Sequence, residues 1–155
     1  MIKTRLFGNL LHLFKIDSMR ISIIRKAHFN VAHRLFKPEW TDEKNREVFG
    51  ICSNPNFHGH NYELDVKITG ELDPETGILM DLKTLKELIE QHVEIYFDHK
   101  NLNLDLIEFK SKVPTTENIC IVIYDILRKV ISEQLDIHIK LSETPRNFVE
   151  FPAQN

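Results

Sequence analysis

The segment CSNPNFHGHNY places one thiol, Cys52, and two imidazoles, His58 and His60, within eleven residues. The residues that follow alternate between apolar and polar types, which predicts a strand. On a strand, residues two positions apart project from the same side, so both imidazoles can converge on one ion. The pair therefore predicts a metal site, provided that a third ligand comes from elsewhere in the chain.

His33 is the candidate for that third ligand. It ends an earlier alternation, residues 21–33, in phase with the apolar odd-numbered positions. If the two predicted strands are neighbours, three neutral imidazoles can meet and leave a fourth tetrahedral position open, as in catalytic zinc sites. Such a zinc ion polarises a substrate oxygen and makes neighbouring protons more acidic. The ligand type favours zinc over iron or copper.

Cys52 has two alternative roles that its spacing does not separate. As a fourth ligand it would close a structural zinc site. As a thiolate beside the metal it would act as a base, because a nearby cation lowers the pKa of a thiol. Cys120 lies in the apolar run ICIVIYDIL and is expected to be packed. Two cysteines in such different contexts predict no disulfide framework and a reducing, cytoplasmic environment.

Three further polar residues allow both a functional and an ordinary interpretation. Asp98 and His99 are adjacent in a predicted loop and are either a proton-transfer pair or a surface pair. Glu143 ends a predicted strand and is either a solvated carboxylate or a buried acceptor for a ligand with two N–H groups.

The other segments predict the elements that would position these residues. Strands are expected at 21–33, at 58–69 and in the two closing segments DIHIKLSE and NFVEF. Apolar residues at spacings of three and four predict helices at 82–96 and after PTTEN. Asp81 is expected near the first helix start, and Thr115 or Thr116 is expected to cap the second. The polar residues 37–57 are expected to form a functional loop. The prediction is an α+β fold, a four-stranded antiparallel sheet with two helices packed on one face in the order ββααββ, whose free edges favour self-association.

Composition excludes several classes of protein. A chain of 155 residues with 42% hydrophobic and 28% charged residues is expected to be globular. A net charge of −3 is too small for a nucleic-acid groove or a basic membrane face, and no apolar run is long enough to span a bilayer. Residues 1–18 show no secretory signal and are expected to be an appendage or an upstream start, with a single working domain at 19–155.

Several separated segments together resemble the 6-pyruvoyl-tetrahydropterin synthase and 6-carboxy-tetrahydropterin synthase family over about residues 25–151. FNVAHRL and CSNPNFHGHNYEL resemble its zinc and cysteine motifs, and LDPETGILMDLKTLKELI resembles the turn and helix that follow. FDHKNLN, PTTEN and SET resemble its proton-transfer and pterin-binding segments. The resemblance implies one zinc ion per subunit on His33, His58 and His60, catalytic roles for Cys52, Asp98 and His99, and substrate binding by Thr115, Thr116, Glu117 and Glu143.

The resemblance also implies a fold, an assembly and a reaction. The fold is the tunnelling (T-) fold, usually a hexamer of two trimeric rings with sites between subunits. The reaction is the conversion of 7,8-dihydroneopterin triphosphate to 6-pyruvoyl-tetrahydropterin with loss of triphosphate. The five residues between Cys52 and His58 look more like this branch than like the alternative 6-carboxy branch, which serves queuosine and other deazapurines and releases acetaldehyde.

Two other classes are alternatives. The segment HGHNYELDVKITG resembles the metal-binding strand of a cupin, although the gap before Glu63 is one residue short. Cupins are dominantly β proteins, whereas the second half of this chain predicts two helices. A non-catalytic pterin- or zinc-binding module with the same fold is the other alternative.

Overall fold

The structure is a computed structural model, and it describes residues 20–153. Its five strands form one sheet in the order β3-β1-β2-β4-β5. The strands are β1 (Arg20–His33), β2 (His58–Glu71), β3 (Lys100–Asn101), β4 (Asp136–Thr144) and β5 (Asn147–Phe151). The helices are α1 (Asp42–Phe49), α2 (Leu82–Ile89), α3 (Ile95–Phe97), α4 (Leu102–Asp105) and α5 (Thr116–Arg128). A π-helical turn at Glu90–Glu94 joins α2 to α3, and short 3-10 turns lie at Gly50–Ser53 and Ile107–Phe109.

The α+β class is confirmed, but the four-stranded sheet and the order ββααββ are wrong. The fifth strand, β3, pairs in parallel with β1 through Val31–Lys100 and Ala32–Asn101. A strand of two residues is too short to show an alternating pattern, so its sequence carries no signal for it. Its pairing also makes the sheet mixed rather than purely antiparallel.

The long β1–β2 ladder sets the position of the histidines. It runs antiparallel from the pair Arg20–Glu71 to the pair His33–His58. Alternate side chains of both strands face the helices, and among them Phe29 and Tyr62 are buried and stack with ring centroids 5.5 Å apart. This register brings the last residue of β1 directly opposite the first residue of β2.

Side-chain caps begin the two long helical segments that cover this face. The Asp81 carboxylate accepts the Lys83 N–H at 2.8 Å, and the Thr115 hydroxyl accepts the Asn118 N–H at 3.3 Å. Thr115, not Thr116, is therefore the N-cap of α5. The caps fix where each helix begins, and their apolar faces are buried against the sheet.

The polar segment 37–57 contains α1, where the sequence predicted only a loop. Asn45 is 2% exposed; its Oδ1 accepts the Lys37 N–H at 2.8 Å, and its Nδ2 donates to the carbonyls of Lys37, Trp40 and Thr41. The helix is short and mostly polar, so its pattern does not reveal it. These bonds hold the connection between His33 and Cys52 in a defined shape.

The expectation for residues 1–18 lies outside the described residues. Within 20–153, none of the helices combines the length and the apolar character needed to cross a membrane.

Candidate metal centre and active site

Three histidines converge at the end of the β1–β2 ladder. One ring nitrogen from each of His33, His58 and His60 lies within 4.8 Å of the others. The ring centroids are 4.5 Å apart for His33–His58, 5.3 Å for His33–His60 and 5.2 Å for His58–His60. Such a group could hold a metal ion.

The hydrogen bonds of His33 leave one nitrogen available as a ligand. Its Nδ1 lies 2.8 Å from the carbonyl oxygen of Pro114, so Nδ1 carries the proton and Nε2 carries the lone pair. Burial is the main cause that lowers the pKa of His33 to about 4, and a hydrogen bond to Pro114 opposes that fall. His33 is therefore neutral at neutral pH, as a metal ligand must be.

The histidine cluster contains buried nitrogens that have no hydrogen-bond partner within residues 20–153. His33 Nε2 and both ring nitrogens of His58 are buried and have no hydrogen-bond partner among the described residues. Burial, followed by the proximity of His60, lowers the pKa of His58. Buried polar atoms in native proteins are nearly always paired, so this cluster of bare nitrogens fits a bound cation.

The Glu143 carboxylate lies beside the histidines. Its Oε1 is 3.5 Å from His60 Nε2 and 4.0 Å from His33 Nε2, and its side chain is 25% exposed. The buried Tyr62 hydroxyl donates to the same oxygen at 3.1 Å. Burial and then the negative charge of Glu143 raise the pKa of Tyr62, so this phenol is a proton donor.

A cavity of about 320 Å³ opens between the start of α5 and the β4–β5 turn. It is lined by Thr116, Glu117, Glu143, Arg146, Asn147, Phe148 and Val149. Thr115 is not among these residues; its hydroxyl caps α5. The four residues contributed by the turn and β5 were missed from the sequence. Their closeness to Glu143 within one hairpin is the signal that could have identified them.

Cys52 lies near this group without joining it. It is partly exposed in the 3-10 turn, where its carbonyl accepts the Leu35 N–H at 2.9 Å and the Ser53 carbonyl accepts Arg34 Nε at 2.6 Å. The close metal-ligand group among the described residues consists of the three histidines and excludes the Cys52 thiol. Burial, and then the charge of Glu143, raises the pKa of this thiol. A cation held by the histidines would act in the opposite direction.

Asp98 and His99 form a pair at the outer edge of the sheet. His99 Nδ1 lies 2.8 Å from Asp98 Oδ2, and Asp98 Oδ1 accepts the Asn30 N–H at 2.8 Å. That backbone bond is the main cause that lowers the pKa of Asp98. The His99 side chain is 78% exposed. Within residues 20–153, no hydrogen bond or salt bridge joins this pair to the histidine cluster.

Comparison with known proteins decides the family. A sequence model described as 6-pyruvoyl tetrahydropterin synthase matches residues 22–154. The chain belongs to this family. Membership in the 6-pyruvoyl tetrahydropterin synthase family makes the cupin alternative wrong.

Relatives and solved structures of this family cover most of the chain. The 6-pyruvoyl tetrahydrobiopterin synthase of Pongo abelii is 42% identical over 132 residues, which are 85% of this chain and 91% of that protein. The synthase of the same name from Homo sapiens is 40% identical over the same shares of both chains. The Caenorhabditis elegans 6-pyruvoyl tetrahydropterin synthase structure is 36% identical with a TM-score of 0.81, and covers 88% of this chain and 97% of that one.

The other branch of the resemblance is more distant. The 6-carboxy-5,6,7,8-tetrahydropterin synthase of Bacillus subtilis is 26% identical over 130 residues, which are 80% of each chain. The difference in identity favours the 6-pyruvoyl branch.

Proposed function

We propose that this protein is a zinc-dependent lyase that converts 7,8-dihydroneopterin triphosphate to 6-pyruvoyl-tetrahydropterin with loss of triphosphate. One observation carries the proposal: three converging imidazoles lie beside a carboxylate that lines a cavity, in a chain about 40% identical to proteins named 6-pyruvoyl tetrahydrobiopterin synthase. The histidines supply a metal site, and the carboxylate supplies a recognition site whose nearest oxygen is 3.5 Å from His60 Nε2.

His33, His58 and His60 would hold the zinc ion, one per subunit. The convergence of the three rings and the buried nitrogens of His33 and His58, unpartnered within the described part of the chain, fit this role. Zinc, when bound, would polarise a substrate oxygen and make the adjacent C–H group more acidic.

The cavity would hold the pterin ring. The amino-pyrimidinone edge of the pterin presents two N–H groups, and a carboxylate such as Glu143 can accept hydrogen bonds from both. Thr116 and Glu117 line the same cavity from α5, and Thr115 would act indirectly by fixing the helix start.

Cys52, Asp98 and His99 would move the protons. The Cys52 thiolate would take a proton from substrate carbon, and triphosphate would leave in the elimination. Ionised Asp98 would hold the His99 Nδ1–H and leave the other ring nitrogen free to relay a proton.

A shared active site would explain why Asp98 and His99 lie apart from the histidines of their own chain. The pair lies at the β1–β3 edge, which an adjacent copy can cover. We therefore propose a homo-oligomer, a hexamer of two trimeric rings, with sites between subunits.

Mixing inactive subunits tests the shared site. If Cys52 and His99 act on one substrate from different chains, Cys52→Ala and His99→Ala proteins refolded together are expected to regain activity. Each variant refolded alone is the control. No recovery in mixed oligomers of the correct mass would place both residues in one chain.

Product identification tests the reaction. Zinc-loaded protein incubated with 7,8-dihydroneopterin triphosphate is expected to yield triphosphate and 6-pyruvoyl-tetrahydropterin by mass spectrometry. Acetaldehyde is assayed alongside, because its release would identify the 6-carboxy route instead. A zinc-loaded protein that binds the substrate without releasing triphosphate would be a binding module and not an enzyme.

A further inference from the structure

The Tyr62 side chain has features that packing alone does not require. Its ring is fully buried and stacks on Phe29 at 5.5 Å, with the His60 ring edge-on at 5.9 Å. These contacts fix the ring, so the hydroxyl can reach few positions. Among residues 20–153, the hydroxyl donates to Glu143 Oε1, 3.1 Å away.

We propose that Tyr62 is a positioning residue of the substrate cavity, whose hydroxyl holds the Glu143 carboxylate in the place and orientation that bind the ligand. This inference rests on the proposed function, because it assigns Tyr62 through the role of Glu143. Tyr62 itself does not line the cavity.

Two attractions compete for the Glu143 carboxylate. Its Oε1 lies 3.5 Å from His60 Nε2, so a cation held by the histidines would attract the carboxylate strongly. A glutamate has several rotatable bonds and could turn towards that cation. A hydrogen bond to a carboxylate from a rigid donor opposes this movement and costs little side-chain entropy.

Tyr62 also connects the two walls of the cavity. Besides its bond to Glu143 on β4, its phenol oxygen has the side chain of Thr116, at the start of α5, as a second hydrogen-bonding neighbour. Thr116 and Glu143 both line the cavity. The buried Tyr62 hydroxyl is therefore in a position to orient both the Thr116 and the Glu143 side chains.

A second tyrosine supplies a matched control. The Tyr96 hydroxyl donates to Glu108 at 3.0 and 3.2 Å, so this pair has the same chemistry as Tyr62–Glu143. Neither Tyr96 nor Glu108 lines the cavity or belongs to the histidine cluster.

The test measures neopterin binding to the zinc-loaded protein by quenching of pterin fluorescence. Tyr62→Phe keeps the ring and removes the hydroxyl, and is expected to weaken binding about tenfold, because the released Glu143 side chain must then be ordered when the ligand binds. Bound zinc should stay at the wild-type level. Tyr96→Phe is expected to bind as the wild type does.

A double-mutant cycle separates positioning from a general structural effect. In a Glu143→Ala background, Tyr62→Phe is expected to have little further effect, because the acceptor that the Tyr62 hydroxyl holds is gone. A full tenfold loss in that background, equal binding by Tyr62→Phe and the wild type, or loss of the fold in Tyr62→Phe would each overturn the inference. Wild-type protein that binds no pterin would overturn the proposed function as well, which distinguishes the two failures.

Discussion

His60→Ala is expected to remove both the bound metal and the activity. Two imidazoles remain, and they leave too few protein ligands for a stable zinc site. Loss of a residue that merely supports a ligand costs about 10- to 100-fold in metal affinity or activity, so loss of a ligand should exceed about 100-fold. Metal analysis of the purified variant and triphosphate release measure the two losses. His58→Ala is expected to behave in the same way.

His28→Ala is the matched control for the loss of His60. It removes an exposed imidazole from β1, at an even-numbered position that faces away from the side occupied by His33. Metal content and turnover are expected to stay at the wild-type level. Full zinc occupancy in the His60 variant would contradict the three-histidine site.

Cys52→Ala is expected to abolish turnover and to leave the metal bound. The close ligand group consists of the three histidines, so the thiol is available as a base. Loss of a general base costs roughly 10²- to 10⁴-fold in rate. Zinc content and single-turnover triphosphate release, measured on the same sample, separate the two roles. Loss of zinc from this variant would make Cys52 a ligand.

Cys120→Ala is the corresponding control. Cys120 is 1% exposed on α5, and burial raises the pKa of its thiol to about 12, so it is neither accessible nor ionised at neutral pH. Its replacement is expected to lower the free energy of unfolding through lost packing and to leave the rate of turnover unchanged. An inactive but folded Cys120 variant would argue against assigning the base role to Cys52 alone.

The two pairs of variants address different parts of one site. Burial lowers the pKa of His33 and keeps it neutral. Burial, and then the negative charge of Glu143, raises the pKa of the Cys52 thiol. A bound cation would favour the deprotonated ring nitrogens of the histidines and would also favour the thiolate form of Cys52. Metal binding and thiol activation are thus expected to be coupled, although different side chains carry them.

Local sequence was sufficient for the parts of the fold that depend on local periodicity. The two-residue period places His58 and His60 on one face, and the phase of residues 21–33 places His33 on the corresponding face of β1, because strand geometry repeats over a few residues. The caps at Asp81 and Thr115 are local for the same reason. The family resemblance added the expected reaction and the expected residues.

Other features depend on contacts between distant segments, and only the tertiary structure decided them. The pairing of β3 with β1 and the bond from Tyr62 to Glu143 each join segments that are far apart in the chain, so no local pattern reveals them. The family resemblance implied site roles for Asp98 and His99, and the fold places this pair at an edge of the sheet. Side-chain type and spacing determined what chemistry is available, and strand register and packing determined which groups meet.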